Sequence, residues 1–426
     1  MKEDFLHYVW KYKLYTHSNL TTSLGENLQI VKSGISNFNS GPDFLNAQIK
    51  INKQTWFGNI EIHVQASDWY LHNHEIDKNY DAVILHVVWE CDAPIFKKNN
   101  VPLPVFILKD FVLESAVQNY RNLFFKKTSW IPCENQIKTI NTFTLDNWLE
   151  RLFFERLERK SEGMQQLLTS NKNDYEATLF QLLAKNFGLK INADAFLNLA
   201  SSFDFSILRK VRFNEDSLAA LLFGQAGFLD EIIEEEYHKQ LKTEFTYLQH
   251  KYNLQSIANQ QFYFFRMRPN NFPTIRIAQL ASLYFRCQNL FSELIEIKNI
   301  EDFYTIFSVK GHHFWSNHYT FNKTSKPYSK YVTKSFIDLV LINTVIPFIF
   351  LYQKNRANVV EEDFLDVLKR IKPEKNSIIS KFSEIGITAK NSFETQAILE
   401  LKNRYCSVKR CLDCAVGKTI LNRNVP

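Results

Sequence analysis

Residues 41–65 read Gly41-Pro42-Asp43-Phe44-Leu45-Asn46-Ala47-Gln48-Ile49-Lys50-Ile51-Asn52-Lys53-Gln54-Thr55-Trp56-Phe57-Gly58-Asn59-Ile60-Glu61-Ile62-His63-Val64-Gln65. Ser40-Gly41-Pro42-Asp43 is a turn signal. After it, Leu45, Ala47, Ile49 and Ile51 alternate with Phe44, Asn46, Gln48 and Lys50. Past Asn52-Lys53-Gln54-Thr55 a second alternation sets Gly58, Ile60, Ile62 and Val64 against Phe57, Asn59, Glu61 and His63. A period of two on both sides of a polar turn predicts a β-hairpin. With the turn centred on Lys53-Gln54, Asp43 stands opposite His63 or Val64 and Glu61 is its diagonal neighbour. Opposite Cβ atoms lie ~5 Å apart and diagonal ones ~7–8 Å. Glu61 and His63 are two apart on one strand and share a face. Two carboxylates and an imidazole therefore gather at one end of the hairpin.

Outward from the hairpin, residues 3–16 carry the spacing of an aromatic-rich amphipathic helix, and Leu28–Val31 form a short strand. Residues 66–80 are a polar helix or loop. Ala82–Trp89 is a continuous apolar run, as in a central buried strand. Val105–Leu108, after Pro102 and Pro104, is the last strand. Beyond about residue 110 helical patterns take over, beginning with 145–160 behind Thr144 as N-cap. They continue through 175–190, 215–250, 274–295, 335–355 and 391–404. The fold class is α+β, with a mixed sheet and flanking helices over residues 1–125. A mostly helical domain spans 126–426 and carries a C-terminal cysteine cluster.

Hydrophobic residues make up 45% and aromatics 15%, with 37 Phe and 18 Tyr, so the chain can bury a large core and wholesale disorder is excluded. A net charge of +6 permits a phosphate-backbone partner without demanding one. No secretory signal follows the first residues. The most apolar stretch, Phe336–Phe350, is shorter than the ~20 residues of a membrane span and reads as a buried helix. The expected setting is the cytoplasm, with no membrane partner. There the six cysteines are reduced thiols or metal ligands, not a disulfide frame.

Asp43 and Glu61, placed so close, repel unless a cation lies between them. A hard divalent ion, Mg²⁺ or Mn²⁺, suits two carboxylates and activates water for phosphodiester cleavage. Pro42-Asp43 followed by Glu61-Ile62-His63 resembles the PD-(D/E)XK nucleases. The resemblance implies a restriction-endonuclease-like sheet, a DNA or RNA substrate, and Asp43, Glu61 and His63 as the catalytic set, with Asp43 and Glu61 on the metal. His63 stands where that superfamily has Lys, so it is a base toward water, a metal ligand favouring Mn²⁺, or the mark of a silent site. The superfamily often adds a Glu from the first helix, here Glu3, with Glu26 behind it. Competing readings are a silent nucleic-acid-binding or scaffold protein and a metal hydrolase of small phosphate esters.

The chain also resembles, end to end, an uncharacterised family of Bacteroidetes-type bacteria classed only as a domain of unknown function. The carriers are Asn39–Phe44, Gly58–His63, Ser67–Trp69, Val83–Val88, Arg268–Pro273 and the C-terminal cysteines. No activity comes with that resemblance.

Asp68, His72, His74 and Asp77 suggest a second metal or substrate contacts, against a slightly favoured solvated loop. His86, in an apolar strand, reads as a satisfied core histidine before a residue facing the site. Cys406-x4-Cys411-x2-Cys414 bunches three thiols, with Cys133 as fourth ligand and Cys287, Cys91 or His313 in reserve. An iron–sulfur cluster, Zn²⁺ and unmetallated thiols all fit this spacing. Arg266, Arg268 and Arg276 suit phosphate contacts or an ionic loop equally.

Overall fold

The computed structural model describes every residue except 126–128, 357–362 and 424–426. Its first compact unit is residues 1–149 with 380–387 and 399–426, and its second is 150–379 with 388–398. The expected boundary was residue 125, and the C-terminal cysteines fall in the unit that holds the sheet.

In the first unit, helix α1 (Glu3–Tyr12) starts with Glu3 and Asp4 in its first turn, where acids favour the helix dipole. It ends at Tyr12, where Lys13 turns left-handed, four residues short of the expected end. Its buried face is Phe5, Leu6, Tyr8, Val9 and Trp10. Strands β1 (Leu28–Lys32), β2 (Ile35–Ser36), β3 (Phe44–Ile51), β4 (Gln54–Gln65), β5 (Val83–Glu90) and β6 (Val105–Ile107) form one six-stranded mixed sheet. Its order is β1-β3-β4-β5-β6, with β2 also pairing β3. β3 and β4 are antiparallel, whereas β4–β5 and β5–β6 are parallel.

The short helix α2 (Asp68–Leu71) lies in the β4–β5 crossover, and α3 (Glu114–Phe124) follows the sheet. Trp10 packs against Tyr15 and Phe106, and Phe5 stacks on Tyr120 of α3. A second apolar cluster joins Trp69 of α2 to Val83, Val88, Ile95, Leu103 and Val105. With Val105 in that cluster and Phe106 against Trp10, β6 is covered on both faces. β5, flanked by a strand on each side, is buried from Val83 to Val88, as its continuous apolar run predicted.

The hairpin forms, in a register the alternation did not give. Ile51 pairs with Gln54, so the turn is Asn52-Lys53, one residue earlier than expected. Asn52 takes a left-handed φ of 55° there. A second irregularity falls between Phe44 and Ala47, where Asn46 has φ 59°. Asn tolerates this region better than most residues. Phe44 then pairs with Ile60, which brings Asp43 beside Glu61 and Ile62 instead of His63 or Val64.

The second unit is built largely of helices, among them Tyr175–Phe187, Leu189–Ser201, Glu236–Tyr252 and Pro273–Arg286, with a two-stranded ribbon at His318–Thr320 and Lys323–Thr324. The whole is α+β. Helix α4 (Thr142–Ser170) begins two residues before Thr144, and Asn141 Oδ1 accepts the Phe143 N–H in the capping role. Lys334–Asn355 is a 22-residue helix, long and apolar enough to cross a membrane, although 72% of its apolar window is buried. That corrects the expected length and agrees with a buried helix. A π-turn at Leu341–Val345 continues the helix through Pro347.

Candidate metal centre

Strand pleating puts Glu61 and His63 on one face of β4, and β5 lays His86 beside them. The crossover segment supplies His72 and His74. Trp69 packs its ring against both His74 and His86. Tyr80 stacks on His74 with ring centroids 3.7 Å apart.

The donor atoms are close. Glu61 Oε1 lies 3.5 Å from His63 Nε2 and 3.3 Å from His74 Nε2. His63 Nε2 is 3.1 Å from His72 Nδ1. Donor atoms of His63, His72 and His74 all fall within 4.8 Å of one another. For metal–ligand bonds of about 2.0–2.1 Å, neighbouring donors sit about 2.9 Å apart in an octahedral shell and about 3.4 Å apart in a tetrahedral one. Three donor pairs, at 3.1–3.5 Å, fall in or near that range.

His63 Nδ1 meets His86 Nε2 at 2.9 Å. With Nδ1–H donating to His86, Nε2 keeps its lone pair toward the other donors, the orientation a ligating imidazole needs. Burial, then the neighbouring His74 and His72, pushes His63 down to about 4. Burial holds His86 well below the usual imidazole range. Both rings are thus neutral near pH 7. Burial first, with the Asp43 charge adding to it and contacts with His74 opposing, pushes Glu61 up to about 7. A cation at Oε1 would reverse that shift. His63 is 2% exposed, whereas His72 is exposed, so the centre is buried on the sheet side and open on the His72 side.

Asp43 stands next to this group. Its backbone N–H donates to Glu61 Oε2 at 3.2 Å, and its Oδ2 accepts the Ile62 N–H at 2.9 Å. The same oxygen lies 3.2 Å from His7 Nε2, and His7 is 4.0 Å from Glu3. Burial works against a charge on His7, but the Asp43 contact and the Asp43 and Glu3 charges outweigh it and raise its pKa.

The sequence placed Asp43, Glu61 and His63 together, and they are together. Asp43 meets Glu61 through backbone N–H groups and turns its carboxylate toward His7, so the close donor set is Glu61 with three imidazoles. His72, from an exposed position, and His74 come close to His63, and the buried His86 meets the His63 ring. The Nδ1 of His86 is buried without a hydrogen bond. His7 went unrecognised, although Glu3-x-x-x-His7 on a helix puts both on one face. Glu26 hydrogen-bonds Thr22 instead of reaching the site.

A groove of about 310 Å³ opens on Asp43 and His7. Lys11, Tyr12, Phe38 and Lys418 wall it, and so do Asp4 and Asp413, which makes it mixed in charge. Each lysine lies 5.6 Å from a wall ring, Lys11 from Phe38 and Lys418 from Tyr12. Arg276, in contrast, is buried against Asn271, Gln279 and the Phe336 ring, an internal role.

Cys133, Cys406, Cys411 and Cys414 line a single small cavity in the first unit, and all four are free thiols. Burial raises the pKa of each, that of Cys411 to about 12. Cys91 is exposed, and Cys287 and His313 lie in the second unit, so none of the three reserve ligands lines it.

Residues 3–377 match a protein family described only as a protein of unknown function, DUF2851. No curated protein and no solved structure matches the chain.

Proposed function

We propose that this chain, which belongs to the DUF2851 family of proteins of unknown function, is a metal-dependent phosphodiesterase acting on DNA or RNA. The observation that carries this reading is the grouping of His63, His72 and His74, with Glu61 Oε1 3.5 Å and 3.3 Å from two of them, beside the Asp43–His7 pair. Three imidazoles and one carboxylate suit Zn²⁺ or Mn²⁺ better than Mg²⁺, which prefers carboxylates and waters. The expected pair of ligands, Asp43 and Glu61, becomes a set in which Glu61 ligates and Asp43 assists.

Such an ion supplies a Lewis acid and a water acidified toward neutrality. His86 fixes the ring of His63. His7, whose pKa is raised, holds the proton that a leaving alkoxide needs, and Asp43 orients that imidazole. His63 ligates in this scheme, where the PD-(D/E)XK nucleases have a lysine. The likeness to them is supported by Asp43 at the mouth of the hairpin, Glu61-x-His63 on its return strand and the parallel strand beyond. The groove supports a polymer over a small ester. Tyr12 and Phe38 offer rings for bases, and the two lysines offer contacts for phosphates.

The test uses the full-length chain with labelled single- and double-stranded DNA and RNA, in Mn²⁺, Zn²⁺ or EDTA. Cleavage in metal, lost in EDTA and in Glu61→Ala and Asp43→Ala, is the expected result. Asp43→Ala should keep its bound metal while losing about 10²-fold or more in rate. Metal-loaded protein that binds nucleic acid with a salt slope and never cuts it overturns the proposal in favour of a silent binder. Hydrolysis of chromogenic phosphodiesters alone makes the chain a small-ester hydrolase.

A further inference from the structure

We propose that Cys133, Cys406, Cys411 and Cys414 hold an iron–sulfur cluster within the first unit. Four buried thiols from two distant stretches of chain meet at one cavity, which Pro132, Ile137, Leu401 and Tyr405 also line. Thiolates in such a setting select Zn²⁺ or an iron–sulfur cluster, and the room at the site bears on which. A single Zn²⁺ draws four sulfurs to about 2.3 Å from itself, hence about 3.8 Å from one another, and leaves no void between them. Here the four thiols line one cavity that admits a sphere the size of water. That room favours a cluster over a lone ion.

The surrounding chain is arranged to keep that room. Lys409 adopts a left-handed φ of 57°, which turns the chain between Cys406 and Cys411. Gly417 brings the helix Ala415–Leu421 against the Cys411 carbonyl, and a Cβ there would come within 2.0 Å of that oxygen. Tyr405 packs edge-on against Trp148. Leu412 and Asp413, between Cys411 and Cys414, and Lys418, four residues after Cys414, line the groove beside Asp43. The cluster therefore staples the 131–140 segment to the C-terminal segment and sets that lining.

The test is an assay of iron, zinc and acid-labile sulfide on full-length protein purified without oxygen, with absorption and paramagnetic resonance spectra before and after reduction. Iron and sulfide in equal amounts, with a broad visible absorption that bleaches on reduction, are expected. Cys133→Ser and Cys411→Ser should each lower iron and sulfide about tenfold or more, whereas Cys91→Ser and Cys287→Ser leave both unchanged. His63→Ala should also leave sulfide unchanged, which keeps this site separate from the imidazole centre. Stoichiometric zinc without sulfide overturns the proposal, and so does metal-free protein with four alkylatable thiols. Because sulfide is read on the unmutated chain, the outcome does not depend on whether the cysteine variants fold.

Discussion

The imidazole centre on β4 and the cysteine cavity near the C-terminus are two donor groups in one unit, and they are built differently. At the first, Glu61 Oε1 and the rings of His63, His72 and His74 bring pairs of donors to 3.1–3.5 Å. At the second, four thiols line one cavity that admits a sphere the size of water. The access differs too. The imidazole centre opens through His72 beside a groove, whereas the four thiols are all buried. The room at a site bears on the size of the occupant, and access reports whether the occupant meets substrate. On both counts the first group suits an ion at work on a substrate and the second suits a structural staple.

The sharpest way to break that contrast is His63→Ala. Cleavage should fall by about 10³-fold or more, since a ligand and its hydrogen bond to His86 go together. Iron and sulfide measured on the same sample should not move. A parallel loss of sulfide would show that the two groups are one system.

A smaller effect is expected from His86→Gln, which removes the imidazole that orients His63 without removing a ligand. Metal affinity, followed by titration against a competing chelator, should weaken about 10–100-fold. An unchanged affinity would mean that His63 needs no inner partner.

The smallest effect concerns pH and the metal-free protein. Glu61 has a folded pKa above its unfolded value. Its contribution to stability is therefore fully present below about 4.5 and is lost as pH rises through about 7. Glu61→Gln, neutral at every pH, lacks that loss. In chelator at pH 8 it should be more stable than the parent by on the order of 2 kcal/mol, measured by denaturant unfolding. With Mn²⁺ or Zn²⁺ added the order should reverse, because the carboxylate then faces a cation. A Gln variant that is less stable under both conditions would remove Glu61 from the donor set.

Much of this was legible in the chain. The two-residue alternation of 44–51 and 57–64 located the hairpin, and the unbroken apolar run of 82–89 located its parallel neighbour. Glu61 and His63 share a face in any register, because they are two apart on one strand. The register itself was not legible. It is set by left-handed Asn52 at the turn and by the irregularity at Asn46, and a polar residue in an alternating run gives no sign of which conformation it takes. His72 and His74 looked like a solvated loop because the segment is polar. Trp69 and Tyr80, which hold His74, act only once the crossover lies on the sheet.

Local order along the chain thus determined which side chains face together within an element, since backbone pleating makes that a matter of counting. It also determined that Cys406, Cys411 and Cys414 are neighbours. Only tertiary packing decided that His7 reaches Asp43 from a helix, that His86 stands behind His63 from the next strand, and that Cys133 completes a set 273 residues before Cys406. Contacts between elements follow from how buried faces close on one another. That depends on the whole core, and no stretch of sequence carries it alone.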